Sequence, residues 1–383
     1  MKTSDRYWIW LASAEVNVNS KAALVEAFGT AENIFAAQPG TLRRVDGVLE
    51  KDADLLEKRD LSEADRIISS CAAKDIRILS IDDPDYPSRL KNIYAPPYVL
   101  YVKGHLPPID DEPVLAVVGT RNATSYGKRM SRDIAYQYVK CGGLIATGLT
   151  AGIEECAAEA ALSAGGTVIA YLGTSVEKAC GDLAKRVTEK GALISEYAPG
   201  TVTQKIFFRH RNRIGSGISA GVCAVEAPLK SGTALFVSEA LEQGKQIFAV
   251  PGNADSEMSE GTLKFIKEGA MLITAGCEIA AELYPDFPEK LDPSHRETFR
   301  DIKKVFDNKK SDCYIDEKDR DVSGLSDVQR KIVRSVAEGN STVEELIRDT
   351  GIPAPALLSQ LTLLEIKKRI RNDREKGIIP ADR

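Results

Sequence analysis

A chain of 383 residues with 43% hydrophobic and 28% charged residues has room for two or three soluble domains. Its net charge of -5 excludes general adhesion to nucleic acid, so such a partner must be met by a local patch. Seven cysteines (71, 141, 156, 180, 223, 277 and 313) without a C-x-x-C pair exclude a disulfide framework, and three scattered histidines (105, 210 and 295) leave little for a metal site.

The N-terminal run MKTSDRYWIWLASAEV is too short in apolar residues for a signal peptide or a membrane span, which predicts a soluble, cytoplasmic protein with no membrane partner. Residues 1–75 read as a small helical domain. AALVEAFGTAENIFAA and LSEADRIISSCAAK space apolar residues by three and four, and LRRVDGVLEKDADLLEKR between them loosely resembles a helix-hairpin-helix or SAM-like element. Residues 76–105 carry prolines at 84, 87, 96 and 97 and two short strand candidates, ILSI and YVLYV, and read as an extended lead-in.

From 106 to 290 apolar runs alternate with helical or loop segments: VLAVV, LIAT, TVIAYLG, ALISE, GVCAVE, QIFAVPG and MLIT. Strands apolar along their whole length are buried on both faces, so this is an α/β, Rossmann-like domain on an extended parallel sheet. Its ligand is expected beyond the carboxyl ends of the strands, where Gly119-Thr120-Arg121, Gly148 to Gly152, Ser231-Gly232-Thr233 and Pro251-Gly252 fall. Residues 291–322 are charged and read as a linker. Residues 323–383 give three amphipathic helical segments and a KKRIRND run that opens a wing, hence a winged-helix domain suited more to protein contact than to DNA.

Two stretches lack acids altogether. Tyr197 to Val225 sets Lys205, Arg209, Arg211 and Arg213 among Phe207, Phe208, His210 and Asn212, and Pro113 to Arg132 ends an apolar run in Gly119-Thr120-Arg121. Permanent cations beside exposed aromatics suit a chain of phosphates carrying unstacked bases, that is, single-stranded nucleic acid. The cations are expected to project from strand-end turns, so that folding survives their substitution. GTRNATSYG matches neither the dinucleotide fingerprint nor a P-loop, so no nicotinamide or ATP cofactor is expected. Glu154 and Glu155 fit the first turn of a helix, and Glu226 is expected to orient an arginine of the RNR run.

In order and spacing, VVGTRNATSYG, TGLTAGIE, TVIAYLG, ALISEY, FFRHRNRIGSGIS, VCAVEAPLKSGT, ALEQGKQIFAVPG and SEGTLKFIKEGAMLI resemble the DNA-processing protein A (DprA/Smf) family. DPDYPSRLKNI and PPYVLYVKG resemble the segment leading into that family's domain. The resemblance implies a single-stranded DNA binder, not an enzyme, that forms a homodimer, protects the strand and loads RecA in recombination and natural transformation. It implies Arg121 as a phosphate-gripping residue, Lys205 and Phe208 as the lysine and aromatic upstream of RNR, and Arg211 and Arg213 as the RNR arginines. With the flanking turns the expected binding set is Gly119, Thr120, Arg121, Lys205, Phe208, Arg211, Asn212, Arg213, Lys230, Ser231 and Gly232, with no catalytic residue and no metal. The dimer is expected through LKFIKEGAMLITAGCEIAAELY, with Phe265 and Leu283 in the contact. The chain departs from the family pattern at Glu154 in GIE, at Ala158 where a His is usual, in GTSVEKACGD where a Tyr-Pro is usual, and at Arg209 where a Pro is usual. The competing expectation is a nucleotide- or ribose-phosphate-processing enzyme of a related Rossmann-like family.

Overall fold

The computed structural model describes residues 3–295 and 302, and in the C-terminal part residues 327–337, 342–366, 370–373 and 377–380. The chain divides into two compact units, Met1–Lys303 and Lys304–Arg383.

The first unit opens with helices α1 (Thr3–Ser13), α2 (Val18–Phe28), α3 (Ala31–Ala36), α4 (Glu50–Leu56) and α5 (Ser62–Ala73). Their apolar faces bury Trp8, Ile9, Leu11, Leu24, Ile34, Leu56 and Ile67, and Leu42, from the connection between α3 and α4, is buried as well. The run AALVEAFGTAENIFAA makes two helices rather than one. Gly29 ends α2 and Thr30 restarts the chain by accepting the amide of Asn33 at 3.2 Å.

Strands β1 (Arg77–Ser80) and β2 (Val99–Gly104) form an antiparallel pair with Leu79 opposite Leu100, separated by the short helix α6 (Ser88–Lys91). They extend the main sheet rather than merely leading to it. Val99, Leu100, Tyr101 and Val102 are all buried, a pattern an edge strand could not carry, and β2 pairs antiparallel with β6 (Ala192–Ser195).

The remaining strands of the sheet are β3 (Val114–Val118), β4 (Leu144–Thr147), β5 (Val168–Tyr171), β7 (Gly221–Ala224), β8 (Gln246–Ala249) and β9 (Met271–Leu272). The nine strands run in the order β1-β2-β6-β5-β4-β3-β7-β8-β9, and from β6 to β9 every pairing is parallel. Helices α7 (Ser125–Lys140), α8 (Ile153–Ser163), α9 (Asp182–Lys190), α12 (Gly232–Glu242), α13 (Glu257–Lys267) and α14 (Gly276–Leu283) make or flank the crossovers. Small buried residues on α8 (Ala157, Ala158, Ala160 and Ala161) let it lie close to α7. The chain builds outward from β3 in one direction and from β7 in the other, so the crevice beyond their carboxyl ends is the topological switch point of the sheet.

In the second unit, helices Asp327–Ala337, Val343–Thr350 and Ala354–Ile366 pack around Ile332, Val336, Leu346, Leu357, Leu361 and Leu364. Strands Ile370–Asp373 and Gly377–Pro380 pair antiparallel as the expected wing. A capping box between Thr342 and Glu345 starts the second helix. Most of the expected 291–322 linker lies outside the described residues. Among the described residues no helix is long and apolar enough to cross a membrane, and no group of three or more His, Cys, Asp or Glu could hold a metal.

Candidate nucleic-acid interface

At the switch point lies an open cavity of about 480 Å³, lined on one side by Gly119, Thr120, Arg121 and Asn122 and on the other by Lys205, Phe208, Arg209, Arg211 and Asn212. Ser231, Gly232 and Thr233 close a third side.

The first wall is set by a buried acid. Glu226 follows β7, and its carboxylate accepts the backbone N–H of Thr124 at 2.9 Å and also the Thr124 hydroxyl, while its carbonyl accepts the amide of Thr120 at 2.9 Å. Thr124 in turn caps α7 by accepting the amide of Gly127 at 3.1 Å. Glu226 therefore orients the turn that carries Arg121, not an arginine of the RNR run. The expectation of an acid with a structural role stands on a different partner.

The second wall is helical. The stretch from Phe207 forms α10 (Phe207–His210) and continues as α11 (Asn212–Gly217). Lys205, Phe208, Arg209 and Asn212 stand at i, i+3, i+4 and i+7, so one face of this turn looks into the cavity. Phe208 is 36% exposed, and its ring centroid is 5.9 Å from the Arg121 guanidinium and 5.6 Å from that of Arg211. Phe207 looks the other way and stacks on Tyr197, with centroids 3.9 Å apart, so a single aromatic faces the cavity from this pair. The side chains of Arg121, Lys205 and Arg209 make no ion pair or hydrogen bond among the described residues, which leaves three exposed cations on the rim.

The two RNR arginines do not project. Arg211 is only 5% exposed and lies in the cavity floor, where its Nη1 donates to the carbonyls of Gly148 at 2.8 Å and Tyr171 at 3.4 Å. Its Nη2 is 3.6 Å from the carboxylate of Glu154, which also accepts the amide of Thr150 at 3.1 Å. A Cβ on Gly148 would stand 2.3 Å from Nη2, so only glycine lets the guanidinium reach this carbonyl. The Arg211 Nε remains buried without a partner. Arg213 lies outside the cavity. It forks onto Glu196, with Nη1 2.8 Å from Oε1 and Nη2 2.5 Å from Oε2, and its Nε donates to the carbonyl of Ala95 at 2.9 Å. Burial opposes ionisation of Glu196, but the charge and hydrogen bonds of Arg213 outweigh it and hold the carboxyl below its usual range. Burial likewise works against the charged form of Arg213, and Glu196 more than offsets it, so the guanidinium pKa rises.

Of the expected set, Gly119, Thr120, Arg121, Lys205, Phe208, Arg211, Asn212, Ser231 and Gly232 are brought to one cavity, while Arg213 and Lys230 are not among its lining residues. Ser231 caps α12 by accepting the amide of Ala234 at 3.1 Å. Arg209, Asn122, Thr150 and Glu154 also line the cavity and were absent from that set. Arg209 could have been found by reading the stretch at helical period from Lys205.

Residues 77–284 match the family model described as DNA recombination-mediator protein A, which covers more than half of the chain. The chain belongs to that family. Residues 316–373 match the model of the DprA winged helix domain. Protein Smf of Synechocystis is 32% identical over 290 residues, 73% of each chain, and the DNA processing protein DprA of Streptococcus pneumoniae is 37% identical over 207 residues, 53% of this chain and 73% of its own. Among solved structures, DNA processing protein A of Streptococcus pneumoniae superposes with a TM-score of 0.63 at 28% identity, covering 74% of this chain and 99% of that one. The DNA processing protein A of Helicobacter pylori, solved for its single-stranded DNA binding mode, gives a TM-score of 0.50 at 25% identity over 55% of this chain and 97% of its own.

Proposed function

We propose that the protein binds single-stranded DNA at the switch-point cavity, with phosphates on the rim cations Arg121, Lys205 and Arg209 and a base against Phe208. The observation that carries this reading is the exposed Phe208 ring set among unpaired cations, Lys205 and Arg209 on its own helical face and Arg121 on the facing turn. A ring with a free face accepts an unstacked base, which a duplex does not offer. Asn212, 9% exposed at the cavity edge, supplies a donor for a base or a phosphate. Gly119, Thr120, Ser231 and Gly232 supply backbone around the bound strand, and the N-terminus of α12 at Ser231 favours an anion. Glu154, the only acid among the lining residues, is committed to Thr150 and Arg211, which supports binding over the nucleotide- or ribose-phosphate enzyme.

The family's description as a recombination mediator supports extending the reading to delivery of the bound strand to RecA. A homodimer is part of the same proposal, on an altered surface. Phe265 and Leu283 are buried within the chain, whereas Leu272 of the edge strand β9 and Tyr284 are exposed and available for pairing.

Titration of labelled oligo(dT) against equal-length duplex at several salt concentrations tests the reading. Single strands should win, and three phosphate contacts should give a slope of log affinity against log salt of about -2, at ~0.7 per contact. Equal competition by duplex, or release of base from nucleoside monophosphates by the protein alone, would remove it.

A further inference from the structure

The segment from Glu196 to Ile206, EYAPGTVTQKI, carries Lys205 to the cavity but forms no helix or strand, and Val202 in it is 78% exposed. Ordering such a segment costs backbone entropy at every residue, so something outside it must hold it. The hold comes from the turn after β5, in GTSVEKACGD, where the chain departs from the family pattern. Ala198-Pro199-Gly200-Thr201 closes a β-turn, with Thr201 N–H donating to the Ala198 carbonyl at 3.1 Å and Gly200 at φ +87, the conformation that favours glycine at the third position. The Gly200 N–H points out of the turn and donates to Glu177 Oε1 at 2.6 Å. Lys178 reaches the other side, donating to the Thr201 carbonyl at 2.7 Å and the Thr203 hydroxyl at 3.0 Å. The second carboxylate oxygen of Glu177 accepts from Lys74, one residue past α5. The bonds from Lys74 and the Gly200 amide hold the Glu177 carboxyl below its usual range against the cost of burial.

We infer that Glu177 and Lys178 are positioning residues for the DNA site: they fix the Ala198–Thr203 turn so that Lys205 and Phe208 face Arg121, and Lys74 couples the N-terminal helices to that hold. This rests on the binding reading above. Neither Glu177 nor Lys178 lines the cavity, so their effect runs through the loop.

Charge gives the test its sign. Removing a carboxylate next to a site for a polyanion should, by electrostatics alone, leave binding unchanged or tighten it. The positioning role demands the opposite. Glu177→Ala should weaken oligo(dT) binding about tenfold through lost preorganisation, with the salt slope of the parent and an unchanged melting temperature. Glu177→Gln keeps an acceptor for Gly200 but loses the charge pair with Lys74, so it and Lys74→Met should each cost only about twofold, as exposed ion pairs do. Hydrogen exchange at the Gly200 amide, measured without DNA, should accelerate in Glu177→Ala and stay close to the parent in Glu177→Gln. If Glu177→Ala does not fold, Thr203→Val cuts one of the Lys178 bonds without changing any charge, and should weaken binding about twofold. Parent-like or tighter binding in Glu177→Ala, or in Thr203→Val if that is the variant that folds, overturns the inference while leaving the binding site standing. Failure of the parent itself to bind oligo(dT) overturns the binding reading and this inference with it.

Discussion

The rim cations Arg121, Lys205 and Arg209 are exposed and unpaired, whereas Arg211 and Arg213, drawn from the same acid-free run as two of them, are folded inward onto carboxylates and carbonyls. Composition makes these five residues equivalent, and geometry divides them. Helical spacing alone does not divide them, since Arg213 follows Arg209 by four residues; the division comes from the acids that take the inner pair, Glu154 beside Arg211 and Glu196 beside Arg213. A guanidinium that is buried and forked carries the architecture. One that is exposed beside a free ring is available to a ligand.

The largest expected effect breaks the inward side. Arg213→Ala leaves the largely covered Glu196, its side chain 17% exposed, without its partner, and should cost about 3 kcal/mol of stability, read as a fall in unfolding midpoint. The double variant Arg213→Ala/Glu196→Ala should recover part of that loss. A neutral result for Arg213→Ala would erase the division between the two groups.

On the outer side, Arg121→Glu should lower oligo(dT) affinity by about 2–3 kcal/mol, a lost charge-assisted contact plus a new repulsion, with the unfolding midpoint held. Titration calorimetry beside thermal melting separates the two readouts. Phe208→Ala should cost about 1–3 kcal/mol of binding, the value of one stacked base, and leave the salt slope unchanged. A change of slope in Phe208→Ala would mean that the ring acts by placing cations rather than by stacking.

A buried charge without a fork sharpens the contrast further. Asp133 on α7 is 6% exposed, and burial pushes its carboxyl up to about 6, with Arg132 and Arg129 only partly opposing. A carboxyl raised in the folded state favours folding while it is protonated, and that contribution is lost as pH rises from about 4 through about 6. Asp133→Asn should therefore stabilise the protein at pH 7 by about 1–3 kcal/mol and do little at pH 4, with DNA binding unchanged. Equal stability of the two proteins at both pH values would show that Asp133 is solvated or paired after all.

The sheet was legible in the sequence because buried parallel strands are apolar along their whole length, and VLAVV, LIAT and GVCAVE all became strands of it. The Gly-rich turns fell at the strand ends for the same reason. The role of each arginine was not legible. Glu154 is 57 residues before Arg211 and Glu196 is 17 before Arg213, and no local pattern announces either pair. The membership of β1 and β2 in the sheet was hidden in the same way, since Tyr101 pairs with Ser195 far along the chain. Burial of Phe265 and Leu283 shows the other limit, because an amphipathic segment does not say which of its faces the rest of the chain will cover.

The buried Glu226 has a consequence for rates. It follows β7, accepts the amides of both Thr120 and Thr124, and so bolts the turn after β3 to the strand on the far side of the crevice. The turn that carries Arg121 is thereby set before any strand arrives. Association with a preformed site is not slowed by a change in the protein. On the proposed reading the slow event would lie in the nucleic acid, where a base must leave its neighbours before it can meet Phe208. A weakly stacked pyrimidine strand should then dock faster than a well-stacked purine one, a kinetic preference among sequences that needs no contact to a base edge.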